Sequence, residues 1–183
     1  MKDISLHIMD IAQNSISAGA ALVEIKTEVN EVADRMIVTI TDNGRGMDKN
    51  ILEKAADPFY TSRVTRRVGL GIPLFRHSAE QTGGSLEIIS EPGIGTSVIA
   101  TFIRSSVDRP PAGDIPGVIS LLAGANPDRD FVYRHLAGSG EYVFDTRQVK
   151  DVLGDVPLSE PVVIRYMKEM IDETIRDMLI PEL

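Results

Sequence analysis

Cysteine and tryptophan are absent from the 183 residues, and only three histidines are present. Without cysteine there are no disulfides, no thiolate metal ligands and no thiol nucleophile, and nothing points to an oxidising compartment. Three histidines also leave little material for a metal cluster. No apolar run approaches the roughly 18 residues needed to cross a bilayer, and the N-terminus MKDISLHIMDIAQ lacks the basic-then-apolar order of a signal peptide. Positive charge is scarce too: 19 Lys and Arg against 27 Asp and Glu leave a net charge of −8, with no electrostatic footprint for nucleic acid. The expectation is a cytoplasmic chain with neither a membrane nor a nucleic acid as partner. What is present, 43% hydrophobic residues, suffices to bury a core. The length fits one large domain or one domain with a small appendage.

Periodicity organises the chain. Residues 4–20 predict a helix with Ile4, Ile8, Ile11, Ala12, Ser15 and Ile16 on one stripe and Asp3, His7, Asp10, Asn14 and Ser17 on the opposite one. Two alternating, β-branched runs follow at 22–29 and 36–41, joined by a polar turn. A short helix is expected near 50–56, stopping before Pro58, and another from Leu70 to Gln81, ending at Gly83-Gly84. Residues 86–90 and 96–103 read as a hairpin. Prolines and glycines crowd together over 104–117, so a boundary is expected there: residues 1–104 as one domain, 105–117 as linker, and 118–183 as a small α+β unit. That unit is expected to hold a helix at 118–123, a hairpin of 130–135 with 141–145, and a helix near 147–153. Its last helix, from about Ser159, carries the apolar stripe Val163, Tyr166, Met167, Met170, Ile171, Ile175 and Met178. His135 near Tyr133 and Tyr142 reads as a cross-strand packing cluster.

Four segments could carry chemistry. Asp10 and Asn14, four apart on the first helix, share a face; a carboxylate could take a proton from water, and an amide oxygen suits Mg²⁺. Asp42-Asn-Gly-Arg-Gly-Met47 ends the second strand, where paired glycines allow close backbone approach to a ligand and an aspartate can accept from an amino group. Asp57-Pro-Phe-Tyr-Thr-Ser-Arg63 leads into a basic loop with Arg66 and Arg67, guanidiniums able to meet phosphates. Gly69-Leu-Gly71 opens a helix, whose free N–H groups suit phosphate oxygens. Each has a plainer reading on its own: a polar surface stripe, an ordinary turn, a solvated loop, a glycine pair without the Walker or Rossmann context.

Together and in this order, the four segments resemble the ATP-binding domain shared by gyrase, the heat-shock chaperone, histidine kinases and the mismatch-repair ATPases, the GHKL superfamily. LHIMDIAQNSISAGA resembles its N box, DNGRGM its first glycine box, DPFYTSR its F box and VGLGIPLFRHSAEQTGG its second glycine box, with SLEIISEPGIGTSVIATF as the closing hairpin. The resemblance implies an α/β (α+β) two-layer sandwich, a Bergerat-type mixed sheet with helices on one face, followed by the small C-terminal extension. It also implies ATP and Mg²⁺ as cofactors. Asn14 would ligate Mg²⁺, Asp42 would hold the adenine amino group with help from Thr96, and Gly44 and Gly46 would pass close to base and ribose. Arg63 would face phosphate, and Gly69 and Gly71 would cap the triphosphate beneath a lid of about residues 61–68. Met47, Phe59, Thr61 and Leu70 complete the expected nucleotide contacts. Asp10 stands where hydrolytic branches carry a glutamate as general base, one methylene longer.

Only three residues precede the first helix, so no upstream phosphoacceptor module is expected, and His7 reads as a hydrogen-bonded helix histidine. The leading expectation is a stand-alone ATP-binding protein whose nucleotide-dependent lid controls a protein partner or homodimer through the C-terminal region, with slow hydrolysis. The alternatives are a kinase acting in trans, on serine or threonine as in the anti-sigma factors of this superfamily or as a split histidine kinase, and a non-catalytic interaction module.

Overall fold

The alternating stretches of sequence become strands in which every second side chain is buried. A computed structural model describes residues 3–55, 70–138 and 140–179. In chain order the elements are α1 (Ile4–Ser17), β1 (Leu22–Asn30), β2 (Arg35–Asp42), α2 (Lys49–Ala55), α3 (Gly71–Gln81), β3 (Ser85–Glu91), β4 (Gly95–Ile103), α4 (Ile115–Ala125), β5 (Asp130–Ala137), β6 (Gly140–Asp145), α5 (Thr146–Leu153) and α6 (Pro161–Leu179). α4 starts earlier than its apolar run suggests, because Asp114 accepts the Gly117 N–H as an N-cap and Pro116 fits the first turn.

The strands form one six-stranded sheet in the order β3-β4-β2-β1-β5-β6. Its neighbours are antiparallel except for β1 and β5, which run parallel from the pair Leu22–Asp130 to Val29–Ala137. Pairing register lines the inward side chains into rows. One row is Ile88, Val98, Ile40, Ile25, Tyr133 and Phe144; the next is Leu86, Ala100, Val38, Thr27, His135 and Tyr142. Four helices cover this face. Ile8 and Ile11 of α1, Phe75 of α3, Leu122 of α4 and Met167 of α6 all join the same buried cluster. Each fully buried side chain of this size contributes about 1.5–3 kcal/mol. On the opposite face Glu24, Lys26 and Glu28 of β1 are half-buried, and Val132 of β5, the register partner of Glu24, is buried. A mixed sheet with helices on one face is thus the observed architecture.

The structure departs from the sequence in how residues 118–183 are used. They do not build a sheet of their own: β5 adds to β1, β6 adds to β5, and α4 and α6 enter the shared core. The physical reason is an open edge. Within the first 104 residues β1 pairs only with β2, and its other row of backbone groups would stay unpaired without β5. The proline-rich stretch is equally anchored. Asp34, at a positive φ of 52° in the β1–β2 turn, accepts the N–H and hydroxyl of Ser105, and the carbonyls of Pro111 and Ala112 accept from the N–H groups of Ile4 and Ser5 at 2.9 Å each. In α6, Val163, Met167 and Ile171 are buried as the stripe predicts, but Tyr166 and Met170 are 68% and 44% exposed alongside Val162. At 3.6 residues per turn, positions 162, 166 and 170 lie on the flank of the buried stripe rather than within it.

The expected packing cluster on β5 and β6 is present, with a polar centre that periodicity did not indicate. Thr27 Oγ1 lies 2.9 Å from Tyr133 OH and 2.8 Å from His135 Nδ1, and His135 faces Tyr142 across the strand pair. Burial pushes the Tyr133 hydroxyl up to about 12 and His135 below its ordinary value.

Candidate functional site

The inward positions of β2 are Met36, Val38, Ile40 and then Asp42. A carboxylate therefore takes a place whose rhythm calls for an apolar side chain, at the end of the sheet and only 9% exposed. Its Oδ2 accepts the Ser15 hydroxyl at 2.6 Å and its Oδ1 accepts the Gly44 N–H at 2.8 Å. A carboxylate offers about four lone-pair directions, so these two bonds leave capacity for a further donor. Ser15 is the residue that sequence reasoning missed. It reads as a member of the apolar stripe with Ile4, Ile8 and Ile11, and it is buried with them. A lone hydroxyl at such a position was the available signal.

Close backbone approach shapes the loop beside this carboxylate. Gly46 has φ 65°, and a Cβ there would lie 2.0 Å from the Glu91 carbonyl oxygen. Gly95 has φ 139°, and its Cβ would lie 1.9 Å from the Asp42 carbonyl oxygen. Only glycine serves at both. Gly44 is buried against Asp42 and Ala18. The Met47 N–H donates to Ser90 Oγ at 2.8 Å, and Ser90 Oγ in turn donates to the Gly95 carbonyl and lies 2.8 Å from Thr96 Oγ1. Thr96 is the strand partner of Asp42, so both side chains leave the same face of the sheet. The Arg45 backbone ties the loop down on both sides, donating to Ala18 and accepting from Gly93.

The other end of the site lies between α1 and α3. Asp10 is exposed and Asn14 half-buried, one turn apart on α1. Neither side chain makes a hydrogen bond to another described residue. A Cβ on Gly71 would meet the Asp10 Cβ at 3.4 Å and its Oδ2 at 3.5 Å, so the first turn of α3 stands directly against this carboxylate. No side chain caps that turn. The N–H groups of Gly71 and Ile72 are accordingly left for another acceptor, while Pro73 has none to offer.

The structure thus brings together Asp42, Gly44, Gly46, Met47 and Thr96 at one end, and Asp10, Asn14, Leu70 and Gly71 at the other. Phe59, Thr61, Arg63 and Gly69 lie outside the described residues, as does the expected lid over about 61–68. Among the described residues no group of three His, Cys, Asp or Glu converges to hold a metal, and no helix is long and apolar enough to cross a membrane. The oxygens present fit Mg²⁺ only in one manner, with Asn14 as a protein ligand and the rest from phosphate and water, the usual habit of this cation. At Asp42 the structure offers a buried acceptor with spare capacity beside a glycine-rich loop.

Comparison with known proteins bears on the fold and the family. The anti-sigma F factor of Clostridium beijerinckii is 34% identical over 105 residues, covering 54% of this chain and 68% of that protein. The sensor histidine kinase ZraS of Salmonella typhimurium is 32% identical over 89 residues, covering 48% of this chain but 19% of that protein. The sensor kinase CckA of Brucella abortus is 33% identical over 85 residues, of which the match spans 9% of its length. The chain therefore spans only a small part of these sensor kinases. Among solved structures, the N-terminal domain of a DNA repair protein superposes with a TM-score of 0.54 at 18% identity, over 78% of this chain and 52% of that one, a likeness of fold. Residues 2–106 match the family described as histidine kinase-, DNA gyrase B-, and HSP90-like ATPases, and the chain belongs to that family.

Proposed function

We propose that this chain binds Mg²⁺-ATP between Asp42 and the start of α3 and uses the bound nucleotide to control a protein partner through its C-terminal region. The observation that carries this reading is the Asp42 carboxylate, buried at a position of apolar rhythm and hydrogen-bonded with capacity to spare. Adenine presents an amino donor that such an acceptor would take. Thr96 would support the same edge of the ring, and Met47 would line it. Asn14 would hold the metal, and the N–H groups of Gly71 and Ile72 would meet phosphate oxygens, with Leu70 and Gly69 beside them. Phe59 would add a further contact, and Thr61 and Arg63 would complete them from the lid. ATP would supply a transferable phosphoryl group, and Mg²⁺ would offset its charge.

Asp10 faces this end of the site and is the candidate general base. Its short side chain favours slow turnover, since a misplacement of about 1 Å can cost on the order of 10²-fold. Phosphoryl transfer to a partner hydroxyl is the second reading, favoured by the 34% identity with an anti-sigma factor. The exposed Val162, Tyr166 and Met170 of α6 support a partner contact there.

Incubation with γ-labelled ATP, alone and with extract of the source cells, separates these readings. Free phosphate from the purified chain favours a hydrolase, and label on one extract protein favours a kinase. Tight Mg²⁺-ATP binding without either favours the switch, and no binding at all defeats the proposal. Asp10→Asn should abolish any turnover and leave binding unchanged; equal turnover would remove Asp10 as the base.

A further inference from the structure

His7 is a fully buried titratable side chain that the reading above does not use. It lies on α1, and its ring stacks on Phe75 of α3 with centroids 4.7 Å apart and planes 16° from parallel. Its Nε2 lies 3.1 Å from Ser78 Oγ, whereas Nδ1 is buried with no partner among the described residues. The tautomer with the proton on Nε2, donating to Ser78, is the one that leaves no buried N–H unpaired. Burial keeps the ring neutral, pushing its pKa down to about 4.

Helical spacing gives this contact its meaning. Positions 7, 10 and 14 share one face of α1, and positions 71, 75 and 78 share one face of α3. The two faces meet twice, His7 on Phe75 and Ser78 at one end, Asp10 on Gly71 at the other. One pair is a stack and a hydrogen bond; the other flanks the place assigned to phosphates. We propose that His7 and Ser78 are positioning residues for the phosphate end of the nucleotide site, holding the start of α3 at the distance from Asp10 and Asn14 that a triphosphate requires. This inference rests on the Mg²⁺-ATP reading.

Its test compares adenosine, which needs only the Asp42 pocket, with Mg²⁺-ATP, which needs both ends. His7→Phe keeps an aromatic face on Phe75 and deletes Nε2; Ser78→Ala deletes the other partner; His7→Gln returns an amide nitrogen close to the Nε2 position. By calorimetry, adenosine affinity should stay within about twofold of the parent in every variant. Mg²⁺-ATP affinity should fall about three- to tenfold in His7→Phe, in Ser78→Ala and in the double variant alike, the signature of one shared bond. His7→Gln should recover most of it. Unchanged Mg²⁺-ATP affinity in the first two variants would overturn the inference, and so would a parallel loss for adenosine, which marks a purely structural role. A parent chain that binds adenosine but not ATP would overturn the underlying reading, and this inference with it, before any variant is made.

Discussion

Asp42 and Thr27 occupy inward positions on neighbouring strands of the same sheet, each following an apolar inward residue on its own strand, yet their hydrogen bonding differs. Thr27 sits in mid-sheet between Tyr133 OH and His135 Nδ1, and its single hydroxyl is within hydrogen-bond reach of both. Only His135 Nε2, beyond it, lacks a partner among the described residues of that cluster. Asp42 sits at the end of the sheet, holds Ser15 and Gly44, and still has acceptor capacity left. Burying a polar group is costly in either place. A closed network in the middle of a sheet fastens one strand to the next, whereas unspent capacity at its end marks where a ligand would complete the bonding.

Exchanging the two groups for near-isosteres should separate these roles. Asp42→Asn should weaken adenosine and Mg²⁺-ATP binding by about 10- to 100-fold, because hydrogen bonds to a charged group carry about 1.5–3 kcal/mol. Thermal melting should change far less, and calorimetry giving parental affinity would remove Asp42 from the adenine site. Thr27→Val should do the reverse. It strands buried groups on Tyr133 and His135 and should cost about 1–3 kcal/mol of stability in a urea titration, with nucleotide affinity intact; a parental midpoint would break the comparison. Asn14→Ala should erase the difference in ATP affinity with and without Mg²⁺, leaving metal-free binding in place. A persisting Mg²⁺ dependence would move the metal to other ligands.

Acid should act on the histidines more gently. Burial lowers the pKa of both His7 and His135, so the unfolded chain takes up protons before the folded one. Stability from this source is complete above the unfolded value of about 6.5 and is lost as the pH falls from there toward the folded value. For His7 that folded value is about 4. Urea midpoints between pH 7 and 4.5 should decline, and less steeply in His7→Phe; identical slopes would exclude His7 as a source.

The parts of this architecture that local pattern governs were legible in the sequence. Alternation through Met36, Val38, Ile40 and Asp42 locates both a strand and its exceptional carboxylate, and spacing by four joins Asp10 to Asn14. Ser15 was visible only as a member of the buried stripe, because nothing local says that its hydroxyl meets a residue 27 positions away. The union of β5 with β1 was hidden for a similar reason. A strand announces itself through its own residues, but its neighbour is chosen by hydrogen-bonding edges remote in sequence. Proline-rich composition over 104–117 suggests a spacer, whereas the same residues place carbonyls over the N–H groups of Ile4 and Ser5.

That pairing of β5 with β1 bears on how the protein can be divided. The family match ends at residue 106, which invites cutting the chain there. Such a fragment would lose all eight ladder positions from Leu22 to Val29 on one side of β1, as well as the carbonyl partners of Ile4 and Ser5. A bare strand edge recruits strands from other molecules, so the shortened protein is expected to self-associate where the full chain does not do so through this edge. The final third of the sequence acts as an edge guard for the first two.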